Sequence, residues 1–147
     1  MGQKKMEGLK PGWQTFYHVA DIGIRGIGRS LEEAFENGAK ALFSIMVEDL
    51  GAVSCKQKQD LECSSYDITG LFVAWINTLI GLADLKGMVF ACFHVEIKDT
   101  HLRATVQGEK WSEKRHGRGI EVKGATFTEA LVEKRQGLWI AQCVVDV

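Results

Sequence analysis

Between Ile68 and Ala83 the chain runs for 16 residues without a charged side chain, and no other feature limits the possible folds so sharply. Leu71, Phe72, Trp75, Leu79 and Leu82 share one helical face, and Ile76 and Ile80 lie close to another. A helix that is apolar nearly all round belongs in an interior. The run is shorter than the about 20 residues that span a bilayer, and Thr69, Asn77 and Thr78 interrupt it. It therefore predicts a core helix that starts near Asp67 and stops at Gly87. Such a helix must be covered on several sides, so the rest of the chain has to supply layers around it.

The other segments provide those layers. Ser30-Leu31-Glu32-Glu33 is a capping-box pattern, in which a Ser at the N-cap and a Glu three residues on satisfy free backbone donors. Leu31, Ala34, Phe35, Ala39, Leu42, Phe43 and Met46 then recur at three- and four-residue spacing, which predicts a helix with one face on a sheet. Strand signals occupy the remainder: Trp13 to Tyr17, Ile22 and Ile24 with the glycines that follow, and Val53 to Cys63 as one strand or a pair. Val89 to Ile97 and Leu102 to Val106 form a hairpin turning at Asp99-Thr100, and Ser112 to Gly119 reads as a charged loop. Ile120 to Thr126, Ala130 to Lys134 and Leu138 to Val147 complete the set, the last two joined at Gln136-Gly137. In the final strand Trp139, Ala141, Cys143 and Val145 share one face and Asp146 points to the other. The expected class is α+β, a single domain with two main helices packed on a largely antiparallel or mixed β-sheet. Residues 1–12 are expected to be a flexible tail and residues 13–147 the domain.

Size and composition agree with one domain: 147 residues, 46% hydrophobic, one proline. With 18 basic and 19 acidic side chains there is no global field of the kind that coats nucleic acid or a membrane surface. Cys55, Cys63, Cys92 and Cys143 make no C-x-x-C pair and no zinc spacing. They are read as reduced thiols, which places the protein in the cytoplasm. The first dozen residues lack the apolar core of a signal peptide.

For chemistry, the residues that attract notice are acidic. Asp21 stands between the first two strand candidates, and Asp146 precedes the last residue, Val147, whose carboxylate would lie beside the Asp146 side chain. Three anionic oxygen groups brought together would suit a hard divalent cation. Asp146 also reads as a solvated charge after a strand, and Asp21 as a turn residue accepting backbone hydrogen bonds. Gly23, Gly26 and Gly28 fit neither a dinucleotide fingerprint nor a Walker loop and are read as turn glycines. His18, His94, His101 and His116 form no zinc pattern and read as surface or capping side chains, with His18 placed to orient Asp21. The stretch Glu113-Lys114-Arg115-His116-Gly117-Arg118, with Lys123 beyond it, is either a solvated loop or a surface that docks a partner or a phosphate.

Together these pieces resemble the archease family, accessory proteins of RtcB-type RNA ligases. The match is carried by His18-Val19-Ala20-Asp21-Ile22-Gly23-Ile24, Ser30 to Asn37, Leu42 to Met46, Trp75-Ile76-Asn77, Glu113, Arg115-His116, Val122-Lys123 and Val144-Val145-Asp146-Val147. The resemblance implies a non-catalytic, chaperone-like protein of tRNA processing. Such a protein promotes guanylylation and multiple turnover of the ligase and meets RNA only through that partner. It also implies a divalent cation, calcium foremost with manganese or magnesium as alternatives, held by Asp21, Asp146 and Val147. Arg115, His116 and Lys123 become candidate contacts to the partner or a phosphate. The RNA substrate stays open between tRNA splicing and RNA repair, and so does the oligomeric state. The chain departs from the family pattern at Val19, where Thr is usual, at Ala74 before the helix tryptophan, and at Thr126-Phe127-Thr128, which replaces Thr-Tyr-His. The competing function is a stand-alone metal-dependent phosphoester hydrolase, which would need a general base beyond the ligands.

Overall fold

The computed structural model describes residues 8–147. Elements follow in the order β1 (Gly12–His18), β2 (Asp21–Gly28), α1 (Leu31–Met46), a 3-10 turn (Leu50–Ala52), β3 (Gln57–Ser64), α2 (Ile68–Lys86), β4 (Met88–Lys98) and β5 (His101–Lys110). A single helical turn, α3 (Glu113–His116), precedes β6 (Gly124–Ala125), β7 (Leu131–Arg135) and β8 (Leu138–Asp146). One sheet has the order β1-β2-β8, with β6 and β7 both paired to the far edge of β8; the other has the order β3-β5-β4. Every strand pair is antiparallel. The α+β class with two main helices holds. The strands divide into two sheets rather than one, because the helices between them need cover on two sides.

Helix α1 packs against β2 on one side and β4 on the other. Its N-terminus is capped as expected: Ser30 Oγ accepts from Glu33 N–H at 3.0 Å, while Glu33 Oε1 reaches back to the Arg29 N–H. Gly26 and Gly28 are strand residues, not turn residues. A Cβ on Gly26 would meet the backbone of Ala34 and Gly38, and one on Gly28 would meet Ala34 and Glu33, so their bare backbone is what lets α1 lie on β2. On the far side of Gly38 stands Phe72 of α2, packed edge to face on Phe35 with centroids 5.1 Å apart. Trp75 is fully buried, and its indole N–H donates to Phe35 O at 2.9 Å. Helix α2 has the length and a mean hydropathy of 1.6 that a membrane span would have. Its neighbours are strands of both sheets, the surroundings of a core helix.

Several expectations are corrected. Residues 1–7 of the expected tail lie outside the described residues, but Leu9 packs on Ile27 and Ile140, and Gly12 already belongs to β1. Of the strand expected over Ile120 to Thr126, only Gly124 and Ala125 pair. The preceding backbone is used elsewhere: Gly119 and Ile120 N–H donate to Met46 O and Ile45 O, closing the C-terminal carbonyls of α1. Cys55 and Cys92 are not free thiols but a disulfide, whereas Cys63 and Cys143 are free. Cys92 faces Gln107 of β5 just past a β-bulge, and Lys56 N–H bonds to Gly108 O. A Cβ on Gly108 would meet the backbone of Val89 and Phe90, so its bare backbone lets β4 lie close to β5 at the bulge. The two cysteines are 37 positions apart with a helix between them, so their spacing gave no sign of the pairing.

Candidate metal and partner site

The site grows from the pairing of β2 with β8. Ile22 faces Val145, so the next position along both strands brings Asp21 level with Asp146 at the sheet's end. The Val147 N–H points at Asp21 Oδ1 across 3.4 Å, a weak hydrogen bond that joins residues 126 apart in sequence. On its other edge Asp146 faces Gly124, and Asp146 O accepts from Lys123 N–H at 2.8 Å. Of the expected site residues, Asp21, Asp146, Val147 and Lys123 are therefore brought together. Among the described residues no cluster of three His, Cys, Asp or Glu side chains is disposed to hold an ion. Two side-chain carboxylates meet here, and the other oxygens at this end of the sheet belong to Val147 and the neighbouring main chain.

The hairpin that presents Asp21 is tight. Val19 and Ala20 form its two-residue turn, closed by His18 opposite Asp21. Val19 adopts φ +55 and is 95% exposed. A β-branched residue in the left-handed region is rare, and such strain, of order 1–3 kcal/mol, gathers at functional positions. The His18 ring, expected to orient Asp21, is half-buried and makes no hydrogen bond among the described residues.

Asn77, named in the Trp75-Ile76-Asn77 motif but given no site role from the sequence, anchors the other side of the site. From the exposed side of α2 its carboxamide accepts from Ala125 N–H at 2.8 Å and donates to Ala125 O at 3.2 Å. It imitates a neighbouring strand and holds β6 in place against Asp146. Its signals in the sequence were its place in that motif and its polarity within a largely apolar helix.

The basic stretch divides. Lys123 is exposed, and with Arg118 it borders an open groove between the C-terminal half of α2 and residues 118–123. The Arg118 guanidinium lies 5.1 Å over the Trp111 ring. Arg115 and His116 turn instead to Glu109, a second residue the sequence reading missed. Glu109 Oε2 accepts from Ser54 N–H at 2.9 Å, His116 Nε2 at 2.8 Å and Arg115 Nε at 2.9 Å. Arg115 also donates to Ala52 O and Ser54 Oγ. His116 is 1% exposed, and its Nδ1 accepts from Ser112 N–H at 3.0 Å, so the ring hydrogen sits on Nε2. As a surface histidine or phosphate contact His116 is corrected: the α3 turn folds it inward. The Ser54 N–H foremost, with His116 and Arg115, holds the Glu109 carboxyl down at about 2.

Comparison with known proteins bears on the family and the fold. Residues 13–147 match the Archease protein family (MTH1598/TM1083). The chain is 37% identical over 139 residues to protein archease of Sulfurisphaera tokodaii and 39% identical over 140 residues to protein archease of Pyrococcus abyssi. Each alignment covers 92% of this chain and 98% of the relative. The solution structure of Methanobacterium thermoautotrophicum protein 1598 superposes with a TM-score of 0.76 at 32% identity, covering 92% of this chain and 99% of that one. A crystal structure from Thermotoga maritima, described as an archease and possible chaperone, shares the fold at a TM-score of 0.63 and 18% identity. It covers 91% of this chain and 96% of that one. A small α+β protein with an acidic site where its second and last strands meet is thus defined, and the chain belongs to the archease family.

Proposed function

We propose that this protein is the activator of an RtcB-type RNA ligase, promoting guanylylation of the ligase so that it turns over repeatedly, and that it takes no nucleotidyl group itself. The observation that carries the reading is the meeting of Asp21 with Asp146 and Val147, with Lys123 joined to the same residue. The donor set is hard oxygen, which fits calcium, manganese or magnesium and not a soft metal. Asp21 and Asp146 would hold the cation with a main-chain oxygen of Val147, water completing the shell. A bound cation would neutralise the acidic pair and offer positive charge to a partner's phosphate. Lys123, an exposed ammonium beside the site, can steady phosphate charge as it develops. RNA is met only through the ligase.

With labelled GTP, label should accumulate on the ligase faster when this protein is added. Asp21→Ala, Asp146→Ala and Lys123→Ala should blunt the effect while circular dichroism stays unchanged. Titration calorimetry of the metal-stripped protein should show heat that the Asp21→Ala, Asp146→Ala double variant lacks. Label on this protein would overturn the reading, and turnover of phosphoesters without ligase would replace it with the hydrolase. For that alternative the one buried histidine offers little, since His116 is committed to Glu109 and Ser112.

A further inference from the structure

The edges of the two sheets are not treated alike. At the free edge of β4, Glu36 of α1 occupies the Val95 N–H at 2.9 Å, and a bulge lies between Phe90 and Cys92. The edge strand β3 carries Lys58, Asp60 and Glu62, and β7 carries Glu133, Lys134 and Arg135 in five residues. Charges, bulges and covering side chains are the usual means of preventing edge-to-edge pairing. Among the described residues β1 has none of them. Its sequence, Gly-Trp-Gln-Thr-Phe-Tyr-His, has no acidic residue, lysine, arginine or proline, and its register with β2 runs unbroken from Gly12 to His18. Among the described residues no strand lies beyond it.

This edge is also self-complementary. Because the two-residue turn closes on His18 and Asp21, ladder alternation leaves the main-chain groups of Trp13, Thr15 and Tyr17 on the free side. Those same residues share one face and are exposed, Trp13 to 43% and Tyr17 to 92%. If a second β1 runs antiparallel about a two-fold axis at Thr15, Trp13 stands opposite Tyr17 of the other copy, and Tyr17 opposite Trp13. Gln14 and Phe16 exchange places in the same way on the other face. Two aromatic cross-strand pairs form, and no like charges meet. We propose that a second copy of this chain occupies the β1 edge, giving a closed dimer whose two five-stranded sheets join through antiparallel β1–β1 pairing. Pairing of a heterologous strand would not draw on the symmetry of Trp13 and Tyr17 about Thr15.

The test is the mass of the purified full chain by light scattering and analytical ultracentrifugation from low to high micromolar protein. The mass is expected to rise from 16.3 kDa toward twice that value. Thr15→Lys places two ammonium groups opposite each other on the axis and should leave a folded monomer, checked by circular dichroism and thermal melting. Phe127→Lys, at another exposed aromatic, should leave the dimer intact. Hydrogen exchange supplies the register: the Trp13, Thr15 and Tyr17 amides should slow at least tenfold with concentration, while Gln14 and Phe16, already paired to β2, should not. Three results would each overturn the proposal: a monomer throughout the range, a dimer that survives Thr15→Lys, or growth past the dimer.

Discussion

Replacing Cys55 and Cys92 by alanine tests the covalent link that the sequence reading did not foresee. The bridge closes a loop with a sequence separation of 37 residues. By the chain-entropy relation, restraining a loop of that length raises the free energy of the unfolded state by about 4 kcal/mol at room temperature. Scaled by the unfolding entropy of a chain this size, the loss corresponds to a melting temperature lower by about 12 °C. The native state gives up little, because Lys56 N–H still bonds to Gly108 O and β4 keeps its ladder with β5. Urea unfolding of the oxidised wild type and the double variant should therefore differ in midpoint, and reduction of the wild type should reproduce the variant. Alkylation of the unfolded, unreduced wild type should label two thiols, those of Cys63 and Cys143. Four labelled thiols, or a stability loss below about 1 kcal/mol, would refute the reasoning.

Three further outcomes follow from the same packing. Asn77→Ala removes two hydrogen bonds to Ala125 and should cost about 1–2 kcal/mol in urea unfolding, while weakening the proposed cation binding in calorimetry because β6 no longer holds Asp146. Gly26→Ala puts a methyl group into the backbone of Ala34 and Gly38 and should cost about 1–3 kcal/mol or more; an unchanged melting temperature would mean that α1 does not lie on β2 as described. Glu109 titrates at about 2 in the folded protein against 4.5 unpaired, so its contribution is complete above 4.5 and fades as pH falls through about 2. Glu109→Gln should thus destabilise at neutral pH, with the gap to wild type closing across that acid window; a gap independent of pH would contradict the charge-based account.

Where sequence periodicity and end signals coincided, the fold was legible. Ser30 caps α1 as expected, α2 starts where it was expected to, at Asp67, and Gly87 ends it in the left-handed conformation. The misses share a cause, which is that a distant element claims a local segment. Ile120 and Val122 have the composition of a strand, but the end of α1 takes the backbone there. His116 looks like a loop histidine until Glu109, on the neighbouring strand, gives it a partner in the interior. Gly26 and Gly28 look like turn glycines because nothing local reveals that a helix will cross them. At the candidate site the carboxylates could be named in advance. The role of Asn77 could not, since it depends on which strand α2 meets.

The same glycines connect core and site. Side chains alternate along a strand, so a one-residue slip between β2 and β8 would turn Asp146 away from Asp21. Such a slip is opposed from the interior. Gly26 and Gly28 fix which residues of β2 lie under α1, and Ala141, Cys143 and Val145 must meet Gly26, Ile24 and Ile22 on that face while Ile140 joins Ile27 on the other. Burial also pushes the Cys143 thiol up to about 12, so this central position stays a neutral, small apolar group over the physiological range. The acidic pair at the sheet's end is therefore aligned by packing that begins several residues away. A helix crossing on bare glycine backbone positions Asp21 and Asp146 without any direct bond between their side chains.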